Sequence, residues 1–344
     1  MTYPMAPFQL HHPGSVAEAL ELAGAHPGAP FLAGGTDLVV NLRKRLAEPE
    51  HVISLRGLSE LEGVSEAGGW LAIGARTTIA ALAAHPLLLR HAPVLAEAAA
   101  LVAGPTIRGM ATLGGNLLLD TRCKYYNQSY FWRQANDFCL KKDGSVCHVA
   151  PKGDFCWAGF SADTPPVLLA LGAELEIASA SGTRRMPLTE FYGADGRWSI
   201  GTEPGGLAPG ELLLRVHLPN ADSDWAGAYE KIRVRDSIDY PLAGVCLMLA
   251  RTGGREITGL RLTLTALNPA PLLVPNLDDL AGRAFSLEVV DELTRRAGRI
   301  AKPLRTAVAD PAWRRAMVGA LIEKAAARLA PELAGPLAGR AQLP

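Results

Sequence analysis

Apolar and polar positions along the chain follow several spacings, and each spacing predicts an element. Ser15 followed by Glu18 opens an apolar run of helical period that continues to about residue 26. A serine with a glutamate three places on is the signature of a capped helix start. Residues 30–33 and 51–55 are short apolar runs that predict strands, and between them Leu38, Val39, Leu42 and Leu46 fall on one helical stripe. Residues 70–75 alternate as a strand after Gly68-Gly69, and residues 87–102 predict a helix. Residues 165–171 also predict a helix, because prolines are tolerated in a first turn. Strands are expected at 174–178, 184–188 and 212–218.

The last third predicts strands at 227–234, 242–250 and 257–267, with Gly253-Gly254 as a turn. Helices are expected at 286–301 and 310–329, the second opened by Asp310 as N-cap and Pro311 as first helical residue. The chain therefore divides into a small α/β unit over 1–55, a mixed unit over 56–225 and an α+β unit over 226–330. Residues 331–344, rich in Gly, Pro and Ala, are expected to form a flexible tail.

Composition narrows the class. The chain has 344 residues, with 34 Lys and Arg against 34 Asp and Glu. A neutral chain has no global cationic field with which to collect nucleic acid or anionic lipid, so neither is expected as a partner. A 49% hydrophobic and 20% charged composition belongs to a folded protein. No run reaches the roughly 18 apolar residues that span a bilayer, and the first residues lack a signal-peptide pattern. Five cysteines are too few for a secreted disulfide scaffold. A cytoplasmic protein with reduced thiols is the expectation.

Two glycine loops carry candidate chemistry. Phe31-Leu-Ala-Gly-Gly-Thr-Asp-Leu38 places two glycines and a hydroxyl between a strand and a helix, and Thr112-Leu-Gly-Gly-Asn116 repeats the arrangement. Glycine lets backbone N–H groups approach an anion, and a helix N-terminus favours negative charge. Two such loops suit the two phosphates of a dinucleotide, although neither carries a G-x-G-x-x-G or P-loop fingerprint. Each Gly-Gly is equally a simple turn signal.

The cysteines are unevenly placed. Cys246 lies in an apolar run and reads as a core residue. Cys123, Cys139, Cys147 and Cys156 share one segment, with 15, 7 and 8 residues between them. Nine of the 21 aromatic residues fall within 121–160, where six cationic side chains face three anionic ones. The spacing lacks the close pairs of zinc ribbons and bacterial ferredoxins. It leaves open an iron–sulfur cluster, a zinc ion, or free or disulfide-linked cysteines, and the surplus of three positive charges suits an anionic cluster. His148 beside Cys147 reads as a loop histidine.

The loops together resemble the flavin-binding medium subunits of the molybdenum hydroxylases, the xanthine dehydrogenase and carbon monoxide dehydrogenase family. The resemblance rests on Leu32-Ala-Gly-Gly-Thr-Asp-Leu38, on Ile107-Arg-Gly-Met-Ala-Thr-Leu-Gly-Gly-Asn-Leu117 and on Ala162-Asp163 before Pro165-Pro-Val-Leu-Leu-Ala-Leu171. It implies an FAD-binding domain of the vanillyl-alcohol oxidase/PCMH type in two subdomains, plus a C-terminal α+β domain. The family's cofactor contacts carry over to Phe31, Leu32, Ala33, Gly34, Gly35, Thr36, Asp37 and Leu38, and to Thr112, Leu113, Gly114, Gly115 and Asn116, around the pyrophosphate. Asp163 would meet the flavin side, and Leu213 and Lys231 match contacts near the isoalloxazine. Val102 stands where the family often has an aromatic residue, and Gly109 where Asn is usual.

Forty-six residues separate Asn116 from Asp163, where most of the family has about ten, and all four clustered cysteines lie in that insert. The insert resembles the one in the flavin subunits of the 4-hydroxybenzoyl-CoA reductase branch. That resemblance implies a [4Fe–4S] cluster on Cys123, Cys139, Cys147 and Cys156. An aldehyde oxidoreductase branch also carries a cluster in this subunit, with a shorter first gap. Further implied are a [2Fe–2S] small subunit, a molybdenum-cofactor large subunit in a heterohexamer of two heterotrimers, and ferredoxin as donor for reductive dehydroxylation. Two alternatives are an oxidative molybdenum hydroxylase with outward electron flow and a zinc-stabilised binding module without redox chemistry.

Overall fold

The computed structural model describes residues 5–193, 206–219, 224–253, 255–306, 309–338 and 340. The N-terminal part is a three-stranded sheet of β1 (Gln9–His11), β2 (Phe31–Leu32) and β3 (His51–Ser54), in the order β1-β3-β2 and all parallel. Helices α1 (Val16–Ala25) and α2 (Leu38–Arg43) are its connections. The expected cap is present, since Ser15 Oγ accepts from Glu18 N–H at 3.1 Å. The Glu18 carboxylate reaches one residue further than the capping box anticipates, to Gly14 N–H at 2.7 Å. Ala19, Ala23 and Ile53 form part of the small core beneath α1.

The middle of the chain builds a five-stranded antiparallel sheet, β4 (Val64–Ala67), β5 (Trp70–Gly74), β6 (Glu174–Ser179), β7 (Gly182–Pro187) and β8 (Leu212–Pro219), in the order β4-β5-β8-β6-β7. Its helices are α3 (Ile79–Ala84), α4 (Pro86–His91), α5 (Pro93–Ala100), α6 (Pro105–Arg108), α7 (Leu113–Leu117), α8 (Tyr130–Ala135), α9 (Thr164–Ala170) and α10 (Leu188–Tyr192). The single helix expected over 87–102 is two. Pro93 has no N–H to continue α4 and excludes a helical conformation from Ala92, which adopts φ −144° and ψ 55°. Pro93 then occupies the first turn of α5, where it is tolerated.

The C-terminal part is a four-stranded antiparallel sheet, in the order β12-β11-β10-β9, of β9 (Trp225–Ile232), β10 (Ala243–Thr252), β11 (Glu256–Thr265) and β12 (Leu272–Leu273). Helices α11 (Leu287–Ile300) and α12 (Pro311–Leu329) pack their apolar residues against it. Asp310 caps α12 as expected, accepting from Ala312 and Trp313 N–H. The tail expected to fray does not do so at 331–338. A short helix, α13 (Ala334–Ala338), follows α12, and Leu337, 3% exposed, joins the C-terminal core. Pro336 lies in the first turn, where its missing N–H costs no intrahelical bond, and burial of the Leu337 side chain holds the segment. Gly254, half of the expected turn, and residues 339 and 341–344 of the expected tail lie outside the described residues. Cys246 on β10 is fully buried in the core, as its apolar neighbours predict.

Candidate functional site

The two glycine loops meet. Gly34 packs so closely on the backbone of Met110 and Ala111 that a Cβ there would lie 1.7 Å from the Met110 carbonyl oxygen. Met110 and Ala111 lead directly into Thr112–Asn116. The first loop is therefore placed by β2 and α2, the second by α7, and absence of a side chain at Gly34 joins them.

Their matching composition hides different hydrogen-bonding states. In the second loop Leu113 N–H donates to Thr77 O, Gly114 N–H to Ala75 O, Gly115 N–H to Thr112 Oγ1 and Asn116 N–H to Thr112 O. Those donors are occupied. In the first loop, the N–H groups of Gly34, Gly35, Thr36 and Asp37 have no acceptor among the described residues. Successive free amides at a helix start form an anion-binding concavity. The first loop is thus the one whose donors suit a phosphate, while the second supplies a rigid wall. Thr112 makes that wall by capping α7. The Thr112→Ala change is expected to lower stability by about 1 kcal/mol in urea unfolding, and no loss at all would mean that Thr112 does not hold α7 in place.

Asp163 sits where the second loop meets the C-terminal sheet. Lys231 Nζ lies 2.8 Å from Asp163 Oδ1 and also donates to Leu101 O at 2.8 Å. Tyr229 Oη donates to the same Asp163 oxygen at 2.9 Å. Next to Asp163, Thr164 donates through its N–H and Oγ1 to Asn116 Oδ1. Asn116 of α7, Asp163 at the start of α9 and Lys231 of β9 are thereby linked. Burial pushes the Asp163 carboxyl above the usual carboxylate range, against the pull of Lys231. Tyr229 escaped the sequence reading, yet it lies two residues before Lys231 on one strand and so shares its face. Leu213 is a core residue of β8, paired with Ile177, and packs in the same apolar cluster as Leu113.

The insert brings its four cysteines together. Cys123, Cys139, Cys147 and Cys156 all line one small cavity, with Tyr126, Leu140, Lys141, His148 and Trp157 among its walls. All four are free thiols, Cys139 and Cys147 buried and the other two half-buried. Burial pushes the Cys123 and Cys156 thiols up from their ordinary range, so a metal centre would displace protons on binding them. Arg133 of α8 is 2% exposed. Its Nη2 donates to Arg45 O at 2.9 Å, Asp143 lies 4.0 Å from Nη1, and Nε and Nη1 have no hydrogen-bond partner. Four convergent sulfurs with the Lys141 ammonium in the cavity wall fit an anionic iron–sulfur centre in charge and ligand type.

The insert is docked on the first glycine loop. Arg122 pairs with the Asp37 carboxylate and donates to Asp37 O at 3.3 Å. Lys44 donates to Asn127 Oδ1 at 2.7 Å, and Leu46 packs with Tyr126, Cys139 and Cys123. Lys141 pairs with Asp120 at 2.5 Å, and Tyr126 donates to Asp120 at 2.9 Å. The sequence reading placed Asp37 in the loop but missed Arg122. An arginine immediately before the first clustered cysteine was the available signal.

Comparison with known proteins agrees with this architecture. Residues 6–221 match the family model described as the FAD binding domain in molybdopterin dehydrogenase, and 227–329 match the CO dehydrogenase flavoprotein C-terminal domain. The chain is 28% identical over 320 residues to the carbon monoxide dehydrogenase medium chain of Hydrogenophaga pseudoflava, covering 92% of this chain and 95% of that one. It is 33% identical over 260 residues to the aldehyde oxidoreductase FAD-binding subunit of Escherichia coli, covering 74% and 80%. A chain in the structure of the Hydrogenophaga pseudoflava carbon monoxide dehydrogenase superposes with a TM-score of 0.77 at 26% identity, covering 95% of this chain and 98% of that one.

Proposed function

The chain belongs to the FAD-binding medium subunits of the molybdenum hydroxylase family, and from that premise we propose that it is a two-cofactor electron-transfer subunit, holding FAD at its glycine loops and a [4Fe–4S] cluster on its insert. The fold is the PCMH-type FAD-binding domain followed by the CO dehydrogenase flavoprotein C-terminal domain. The observation that carries the cluster is the convergence of Cys123, Cys139, Cys147 and Cys156 on one cavity, docked through Arg122 on the loop that holds Asp37. FAD exchanges one or two electrons and a cluster one at a time.

On this reading the free amides of Gly34, Gly35, Thr36 and Asp37 take the pyrophosphate. Phe31, Leu32, Ala33 and Leu38 support that loop, and Thr112, Leu113, Gly114, Gly115 and Asn116 form the opposing wall. Asp163, held by Lys231 and Tyr229, faces the flavin side, and Leu213 backs the wall from the core. Lys141, in the cavity wall, offsets the charge of the cysteine centre. The partners are a [2Fe–2S] small subunit and a molybdenum-cofactor large subunit, in a heterohexamer of two heterotrimers, in the cytoplasm.

The direction of electron flow follows the relatives. Those matched are named carbon monoxide dehydrogenase, xanthine dehydrogenase, aldehyde oxidoreductase and nicotinate dehydrogenase subunits, which favours oxidation of a substrate with outward flow through FAD. The reductive reading, with ferredoxin as donor and 4-hydroxybenzoyl-CoA as substrate, rests on the cysteine insert alone. Redox titration separates them: a cluster potential below that of the flavin supports entry through the cluster, and one well above it supports outward flow.

The cluster itself is tested by Cys139→Ser. Anaerobically purified wild-type protein should contain iron, sulfide and flavin, and the variant should lose the broad iron–sulfur absorption while keeping the flavin bands. Stoichiometric zinc in place of iron in the wild type would overturn the assignment.

A further inference from the structure

Three histidines distant in sequence meet at one end of the N-terminal sheet. His11 ends β1, His51 begins β3, and His26 follows the last residue of α1. Gln9 is paired with His51 and His11 with Ile53, so His11 and His51 are diagonal neighbours on the face that carries Ile53. That is the face α1 covers, with Ala19 and Ala23 packed in the same cluster as Ile53. The end of α1 lays His26 over the pair, its ring centroid 3.8 Å from that of His51 and 4.8 Å from that of His11. His11 Nε2 lies 3.0 Å from His51 Nδ1. One nitrogen of each ring lies within 4.8 Å of the others, and all three residues are half-buried.

We propose that His11, His26 and His51 form a binding site for a divalent transition-metal ion of the zinc class, separate from the glycine loops and the cysteine insert. Neutral imidazole is a preferred ligand for such ions, and three protein ligands leave a fourth position for water. Zinc–nitrogen bonds of 2.0–2.1 Å in a tetrahedron set ligand nitrogens about 3.4 Å apart. His11 and His51 stand close to that spacing already; His26, stacked on His51 with the ring planes 22° apart, has up to about 1.4 Å to close and must turn its ring out of the stack to bring a nitrogen onto a shared ion. A hydrogen bond between His11 and His51 uses one donor and one acceptor and leaves His26 idle, since its ring nitrogens have no hydrogen-bond partner among the described residues. A metal ion uses all three lone pairs. The carbonyl end of the ten-residue α1 points its negative pole at His26 and favours a cation there. An ion so placed cross-links β1, α1 and β3, the frame on which β2 and the first glycine loop are built.

The test uses the full-length flavin- and iron-containing protein, cleared of loosely held metal with chelator and titrated with Co²⁺. Cobalt reports its ligands: imidazole nitrogen gives visible d–d bands, whereas thiolate adds intense near-ultraviolet charge transfer. One equivalent of Co²⁺ should bind with tetrahedral d–d bands and no thiolate band, show imidazole scattering in X-ray absorption, and be displaced by Zn²⁺. His26→Ala and His51→Gln, made separately, should each weaken binding more than about tenfold. The proposal is overturned if no stoichiometric ion binds, if the bound cobalt has sulfur or only oxygen ligands, or if both variants bind like wild type. The spectra of the unaltered protein identify the ligands whether or not either variant folds.

Discussion

Gly34→Ala should purify without stoichiometric FAD, and its affinity for added FAD should fall more than about tenfold. The added methyl would lie 1.7 Å from Met110 O, 2.6 Å from Met110 C and 3.2 Å from Ala111 N. All three are backbone atoms, so no rotamer change makes room. Nor can the Met110–Ala111 segment retreat cheaply. Ala111 N–H donates to Ile107 O at 2.7 Å, and Ala111 O accepts from Ile79 N–H at 2.8 Å. Forcing an extra carbon into a close-packed contact costs about 1–3 kcal/mol even where side chains can adjust, and 1.4 kcal/mol is already tenfold in affinity. The displaced element is the loop whose free amides suit the pyrophosphate, so the loss should appear in flavin binding. Gly24→Ala provides the control: Gly24 lies inside α1 with nothing within 4 Å of its added Cβ. That change should leave FAD content intact and stabilise the protein by up to about 1 kcal/mol. Equilibrium dialysis of both variants, with circular dichroism to confirm folding, decides the matter. Wild-type FAD affinity in Gly34→Ala would refute the arrangement of the two loops.

The contrast between these glycines explains what was legible in the sequence. Local rules found what local forces hold: the Ser15 and Asp310 caps, the β5, β6 and β8 strands, and the long α11 and α12. They failed where tertiary packing decides. The three-residue β1 has too little pattern of its own and exists because β3 pairs with it. Residues 334–338 carry Gly335 and Pro336, which weaken a helix signal, and are held by burial of Leu337. For the site, two Gly-Gly motifs of like composition suggested like roles, yet one has its amides free and the other has them bonded to Ala75, Thr77 and Thr112. Composition could not distinguish them, because two of the acceptors, Ala75 and Thr77, lie more than 30 residues upstream. The cysteine spacing likewise left several metal chemistries open. Gaps of 15, 7 and 8 residues are long enough to close many ways, and only the fold of the insert on Leu46 and Asp37 brings the sulfurs to one cavity.

Lys231→Met should lower folding stability by about 3–5 kcal/mol, the cost of leaving one member of a buried ion pair unpartnered. Lys231 and Asp163 have side chains only 2% and 5% exposed, and Tyr229 Oη is the carboxylate's remaining side-chain donor. Removing the carboxylate instead, by Asp163→Asn, strands the ammonium and should cost a similar amount. The double variant should lose clearly less than the sum, because neither charge then remains to be desolvated. The pH dependence has a fixed sign. Burial already raises the Asp163 carboxyl from its ordinary value, and loss of Lys231 removes the main opposing pull, raising it further. Between the unfolded value near 3.9 and the raised native value, the native state of Lys231→Met holds a proton that the unfolded chain lacks. Stability of the variant therefore falls as pH rises through that window, and its deficit against wild type narrows as pH is lowered from 7. Urea unfolding at several FAD concentrations, which separates the cofactor's contribution from that of the pair, measures all three variants. Additive losses, or a deficit that grows on acidification, would mean that the pair is not the buried, coupled unit linking the C-terminal sheet to Asn116.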